Sequence, residues 1–241
     1  MSSTTYATID QGNTMCKLGV FQDGNLIHSE SHPNTNLPVL SVLLQRYGVE
    51  AVMYSSVSAS RYAFDKTPAN CRFIPFDSEL KLPIEMGYRK NEKMGTDRIA
   101  AATGLLEYPG PLRVAVDFGT CTSITIVENH KVINGSISPG RWMKYRALHE
   151  FTGQLPLLTP PDMVPGANAT GTEETLHNGV STASALETEH LLHHLLNGRS
   201  PDSLVITGGD HTFFERHLKT PNFADPHLVL KGLHAILLKN L

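Results

Sequence analysis

Tyr6-Ala7-Thr8-Ile9-Asp10-Gln11-Gly12-Asn13-Thr14 and Val114-Ala115-Val116-Asp117-Phe118-Gly119-Thr120 are one pattern written twice. Each runs from an apolar stretch into an aspartate, then to a glycine two residues later and a threonine beyond it. Each is followed by an alternating apolar stretch, a polar turn and a second alternating stretch. The first turn is Asp23-Gly24, a strong hairpin signal, and the second centres on Asn129-His130. The spacing predicts a three-strand meander in each half, over residues 5–10, 15–22 and 25–31 and again over 113–117, 123–128 and 131–137. The chain reads as α/β, with two similar domains at 1–110 and 111–241. Each is expected to be a mixed sheet with flanking helices, the pair facing each other across a cleft.

The rest of the chain fits that frame. Leu40, Leu43, Leu44 and Tyr47 have helical spacing within 37–47. Residues 51–55 read as a buried strand, 72–76 as a short strand and 82–95 as a polar loop. An alanine-rich helix is expected at 97–107, ending before Pro109. Further helices are expected at 142–151, 172–196, 210–218 and 226–239. A strand at 204–207 runs into Gly208-Gly209, and four prolines mark 156–166 as a loop.

Composition narrows the function. With 241 residues, 40% hydrophobic and 18% charged, this is an ordinary globular chain, not a disordered one. A net charge of −3 excludes a broad basic surface, so no nucleic-acid partner is expected. The cluster Arg89, Lys90, Lys93 and Arg98 is too small to change that. No apolar run reaches the roughly 20 residues that cross a bilayer, so no membrane partner is expected. The first residues lack the basic and apolar regions of a signal peptide, which predicts a cytoplasmic protein. Three cysteines, Cys16, Cys71 and Cys121, give neither a paired framework nor a zinc signature.

The two Asp-x-Gly loops suit phosphate chemistry. A glycine after a strand lets backbone N–H groups approach phosphate oxygens, and Asn13, Thr14 and Thr120 add neutral donors. Asp10 and Asp117 would repel a phosphate directly, so each suits a cation instead: a hydrated Mg²⁺ at Asp10 and a second ion at Asp117. A tight turn between strands uses the same residues, but the second copy makes that explanation insufficient. Gly95-Thr96-Asp97-Arg98 opens a helix. Asp97 there reads as an N-cap, as an acceptor for the proton of an attacking hydroxyl, or as both. Arg98 suits an acidic substrate, because its guanidinium pairs with a carboxylate in fork geometry.

Five motifs occur together and in order: Asp10 to Thr14, Gly95 to Arg98, Asp117 to Thr120, Gly135-Ser136-Ile137-Ser138-Pro139-Gly140 and Thr207-Gly208-Gly209. From about residue 6 to residue 236 the chain resembles the type III pantothenate kinases, the bacterial enzymes that begin coenzyme A synthesis. These belong to the acetate and sugar kinase, Hsp70 and actin superfamily. The resemblance implies two actin-like (ribonuclease H-like) domains and ATP-dependent conversion of pantothenate to 4'-phosphopantothenate. It implies that Asp10, Gln11, Gly12, Asn13, Thr14, Met15, Cys16 and Lys17 form the ATP phosphate loop, with Mg²⁺ held at Asp10 through water and Thr120 on ATP. Asp97 would accept the hydroxyl proton, and Tyr88, Gly95, Thr96, Arg98 and Thr172 would surround pantothenate. Asp117 would hold the monovalent cation, K⁺ or NH₄⁺. The resemblance also implies a homodimer, for which the apolar segment 191–196 is a candidate interface.

Two rival readings share the superfamily. One is a kinase for a sugar or another small hydroxy acid, of which Arg98 disfavours the neutral sugar. The other is a nucleotide-binding regulator without turnover, which the retained Asp10, Asp97 and Asp117 disfavour. His190, His193 and His194 lack a third metal ligand and read as a helix face. Cys16 and Cys121 flank the two loops and read as packing residues, with oxidation sensitivity as the further expectation.

Overall fold

The computed structural model describes residues 4–34, 38–58, 70–87 and 92–241. The chain runs β1 (Thr5–Gln11), β2 (Met15–Gln22), β3 (Asn25–Pro33), α1 (Pro38–Arg46), β4 (Ala51–Ser56), β5 (Arg72–Pro75), β6 (Glu85–Met86) and α2 (Thr96–Gly104). It continues with β7 (Leu112–Phe118), β8 (Cys121–Glu128), β9 (Lys131–Pro139), α3 (Arg141–Glu150), α4 (Thr172–His177) and α5 (Ala183–Leu195). It ends with β10 (Ser203–Thr207), α6 (His211–His217), β11 (Phe223–Ala224) and α7 (Leu228–Asn240). Two compact units emerge. The first holds residues 1–107, 130–132 and 227–241, and the second 108–129 and 133–226. The C-terminal helix, expected with the second half, groups with the first unit.

The first unit is built on a five-stranded sheet ordered β3-β2-β1-β4-β5. β1, β2 and β3 form the antiparallel meander, and β4 and β5 run parallel to β1. Strand alternation sends Ala7, Ile9, Leu18 and Val20 to one face, where Leu40, Leu43 and Leu44 of α1 seal them. The other face carries Tyr6 and Phe21, and α7 packs there, with His234 stacked on Phe21. Small residues let α2 lie close against α7, around Ala100, Gly104 and Gly232. The edge strand β3 places His28, Glu30 and His32 opposite Val20, Leu18 and Cys16. Both imidazoles bond the Glu30 carboxylate, at 2.7 and 2.8 Å. Inward charge of this kind discourages pairing with another sheet edge. The unexpected two-residue β6, inside the segment read as a loop, pairs in parallel with Lys131 and Val132.

The second unit repeats the plan. Its sheet is ordered β11-β10-β7-β8-β9-β6, and β11 to β9 repeat the order of the first sheet relative to the meander. β7 and β8 pair antiparallel, and β10 and β11 run parallel to β7. Val114, Val116, Phe118, Ile124 and Ile126 face a core completed by α5 and α6. Leu192 and Leu196 are buried in that core and Leu191 and Leu195 pack against it, so the segment expected at a dimer interface faces inward. The predicted helix at 172–196 is present as α4 and α5 joined through a π turn, Asn178–Thr182.

Candidate active site

Parallel strands deliver the first set of residues to one end of the first sheet. β1 and β4 end together, with Asp10 beside Ser55 and Gln11 beside Ser56. Ligand sites in such sheets gather beyond the carboxyl ends of the strands. The loop after β1 closes on itself through Gly12 N–H donating to Met15 O at 2.9 Å. Asn13, Thr14 and Met15 are exposed at its tip, while Cys16 is buried. Gln11 is turned inward, its amide oxygen accepting from the Tyr54 hydroxyl. Its side chain supports the loop from below. Asn34 clips the loop from the far side, donating to Gly12 O at 2.9 Å and Asn13 O at 3.1 Å. Sequence reading missed Asn34. An asparagine just after a strand is a turn signal, but nothing in sequence says that its amide reaches 22 residues back.

The Gly-x-Asp-Arg segment is tied to the same sheet end. The Ser55 hydroxyl donates to Thr96 Oγ1 at 2.8 Å, and Ser55 is the register neighbour of Asp10. Helix α2 starts at Thr96 with Gly95 as its N-cap and no side-chain cap bond. Asp97 is therefore not the N-cap. It stands in the first turn, half-buried, with Oδ1 accepting the Arg98 N–H at 2.8 Å. A carboxylate there also gains from the helix dipole. The Arg98 side chain is buried at 7% exposure. Tyr88, Arg89 and Lys90 lie outside the described residues.

The second unit presents the matching set. Asp117, near the end of β7, is the register neighbour of Thr207 on β10, as Asp10 is of Ser55. Gly208 has φ +92°, and a Cβ there would stand 2.4 Å from Asp117 Oδ1 and 2.5 Å from the Phe118 carbonyl carbon. Only glycine lets the Thr-Gly-Gly turn lie this close to the Asp117 loop. Thr120 is exposed at the loop tip, and Gly140 N–H donates to Thr120 O at 3.1 Å. Gly140 begins α3, whose first residue, Arg141, is buried over the Phe213 ring. Arg141 bonds Asp210 at 3.2 and 3.4 Å, joining α3 to the start of α6 just past Gly208-Gly209. This pair was also missed from sequence, because its partners are 69 residues apart. Thr172 is exposed at the first position of α4, where Glu174 closes back onto the Gly171 and Thr170 N–H groups.

Oxygen donors at both strand ends match hard cations. The Thr207 hydroxyl, on the same sheet face as Asp117, is buried without a hydrogen-bond partner. Such a group fits an ion held with the Asp117 carboxylate. Cys16 fits redox chemistry poorly. Burial, with the Asp10 charge, pushes the Cys16 thiol up to about 12, so its reactive thiolate is scarce. Among the described residues there is no cluster of three metal-ligating side chains, the α5 histidines included.

A family model described as type III pantothenate kinase matches residues 7–194. A type III pantothenate kinase of Bacteroides fragilis is 32% identical over 236 residues, spanning 95% of this chain and 96% of the relative. The chain belongs to the type III pantothenate kinase family. One from Cytophaga hutchinsonii is 32% identical over 235 residues, with 95% and 97% of the two chains covered. The family's ATP-dependent phosphorylation of pantothenate comes with membership, and neither rival reading gains support. Solved structures agree on the fold. A Baf family protein of Campylobacter jejuni superposes with a TM-score of 0.63 at 20% identity, covering 97% of this chain and 98% of that one. The activator of 2-hydroxyisocaproyl-CoA dehydratase from Clostridium difficile, solved with ADPNP bound, gives 0.59 at 14% identity, covering 99% and 96%. The fold is α/β with two actin-like units, as the duplicated motif predicts.

Proposed function

We propose that this pantothenate kinase uses Asp97 to take the proton of the pantothenate primary hydroxyl as that oxygen attacks the γ-phosphate of ATP. One observation carries the reading: the Ser55–Thr96 bond ties the Asp97 turn to the strand end beside Asp10. Substrate base and phosphate loop are thus held by one rigid sheet. The loop from Asp10 to Lys17 offers backbone N–H groups and the exposed Asn13 and Thr14 side chains to the ATP phosphates, and Thr120 offers a second hydroxyl. Gly95, Thr96, Arg98, Tyr88 and Thr172 form the pantothenate surround. Asp10 is the residue to hold Mg²⁺ through water, and Asp117 with Thr207 the pair to hold K⁺ or NH₄⁺. When bound, these cations neutralise charge on the transferring phosphoryl group. The chain's own work is positioning and proton acceptance.

No helix among the described residues is long and apolar enough to cross a membrane; the family supports a cytoplasmic enzyme and a homodimer. The test is ATP consumption by the purified protein with and without pantothenate, in KCl and in NaCl. Turnover that requires pantothenate and rises with K⁺ is expected. ATP binding without turnover in either salt would reject the kinase assignment, and equal turnover in both salts would reject the cation role of Asp117.

A further inference from the structure

A chain of polar groups, buried at Tyr145 and Ser181 and reaching the surface at Glu173, lies where α3 meets the π turn between α4 and α5. The Tyr145 hydroxyl is 2.7 Å from His177 Nδ1 and 2.9 Å from Ser181 Oγ. On the other side of the ring, His177 Nε2 faces the Glu173 carboxylate at 3.5 Å. Tyr145 is 2% exposed and Ser181 fully buried. Burial raises the Tyr145 phenol above its ordinary range, so it stays a neutral hydroxyl that can donate to the imidazole. With the imidazole proton on Nε2, the contacts can align in one direction, Ser181 donating to Tyr145, Tyr145 to His177 Nδ1, and His177 Nε2–H pointing towards Glu173.

The position of this chain gives it meaning. Tyr145 sits on α3 one turn beyond Arg141, and α3 begins at Gly140, which is bonded to Thr120 of the second loop. His177 ends α4, whose first residue is Thr172. A π turn carries one residue more than an α turn, so it offsets the face of α4 from that of α5, and such turns are frequent at functional sites. The α4 segment has one buried residue of its own, Leu176. Lys144, next to Tyr145, fastens α5 independently through Ser184 and Glu187. The Tyr145–His177 bond ties the end of α4 to the helix whose N-cap, Gly140, bonds the Thr120 loop.

We propose that Tyr145 and His177 are positioning residues for pantothenate: they set where Thr172 stands, and act on the substrate through it. The proposal rests on the reading that Thr172 contacts pantothenate, and its test separates the two. The variants are Thr172→Ala, His177→Ala, the double variant, Tyr145→Phe and His177→Gln, with KM for pantothenate, KM for ATP and kcat measured for each. His177→Ala and Tyr145→Phe are expected to raise pantothenate KM by roughly three- to tenfold, the worth of one hydrogen bond, leaving ATP KM within about twofold. His177→Gln, which keeps an acceptor for the phenol, should recover part of the loss. The double variant should match Thr172→Ala alone, because each step interrupts one contact. Effects that multiply in the double variant would overturn the proposal, as would an equal rise in both KM values. An unchanged KM in Thr172→Ala would fail the Thr172 reading, and the proposal with it. Tyr145→Phe keeps the ring volume, so a kinetic loss with an unchanged melting temperature cannot be assigned to misfolding.

Discussion

His234 should make the first unit acid-sensitive within a defined window. The imidazole is 6% exposed on α7, stacked at 4.0 Å on Phe21, with its Nε2 lacking a hydrogen-bond partner. Burial holds its pKa down at about 4, against an ordinary 6.5. The unfolded chain therefore takes up a proton near pH 6.5, while the folded one resists until about 4. Stability contributed by the neutral ring is full above 6.5, falls as pH drops through that window, and is exhausted below 4. The ceiling on the loss is roughly 3 kcal/mol, and the slope about 1.4 kcal/mol per pH unit. Between pH 7.5 and 5.5 this one group should cost about 1.4 kcal/mol. His234→Phe keeps an aromatic ring against Phe21 and removes the titrating group. Urea unfolding at the two pH values, followed by far-UV circular dichroism, measures the effect. Fluorescence is the wrong probe, since the single tryptophan, Trp142, lies in the second unit. The wild type should lose about 1.4 kcal/mol more than the variant over that interval. Equal losses would refute the argument, because they would mean that His234 titrates alike in both states.

Asp97→Asn should lower kcat by about 10²–10⁴ with ATP KM little changed; a kcat within threefold of wild type would remove Asp97 as the base. Gly140→Ala places a methyl 2.4 Å from Gly119 O and 2.5 Å from Thr120 O. That overpacking should cost about 1–3 kcal/mol in thermal unfolding and raise ATP KM by displacing the loop. Asn34→Ala removes both clips on the Gly12–Asn13 carbonyls and should raise ATP KM several-fold, read from initial rates at saturating pantothenate. In the native protein an aromatic disulfide reagent at pH 8 should leave Cys16 unlabelled until denaturant is added; rapid labelling of all three thiols would contradict its burial.

The meanders were readable because strand alternation has a period of two and because Asp23-Gly24 and Asn129-His130 can adopt the positive φ that such turns need; Asp23, Asn129 and His130 all do. The acids at the ends of β1 and β7 were readable because an aspartate after a buried apolar run needs a reason. Contacts between distant residues were not readable. Local sequence cannot reveal that Asn34 returns to Gly12, that Ser55 meets Thr96, or that Arg141 meets Asp210. The unit assignment of α7 was hidden for the same reason, since order along the chain does not say which sheet face a final helix will cover. Leu191 to Leu196 looked like an interface because apolar residues at helical spacing serve a core and a dimer equally well. The π turn left no pattern, because its five residues, Asn178–Thr182, differ from an α-helical stretch only in hydrogen-bond register.

The two copies keep the same scaffold and differ where chemistry would differ. Asp10 and Asp117 occupy matching strand ends, and each has a hydroxyl neighbour on the adjoining parallel strand, Ser55 or Thr207. In the first copy that hydroxyl is spent on Thr96, which fixes the Asp97 turn. In the second it is buried without a hydrogen-bond partner, beside the Asp117 carboxylate. The loops diverge in the same sense. The first places four residues, 12–15, between the paired Gln11 and Cys16, clipped by Asn34, with its tip exposed. The second places three, 119–121, between Phe118 and Thr122, with Gly140 and Gly208 closing in from two sides. An open, exposed loop suits a chain of phosphates, whereas a tight one around an acid and an unbonded hydroxyl suits a single ion. If duplication alone accounted for the pattern, exchanging the two hydroxyls would be harmless. Ser55→Ala should lower kcat by loosening the Asp97 turn, whereas Thr207→Val should leave kcat in saturating K⁺ nearly intact and raise the K⁺ concentration needed to reach it. The same response from both variants would mean that the two strand ends do the same work.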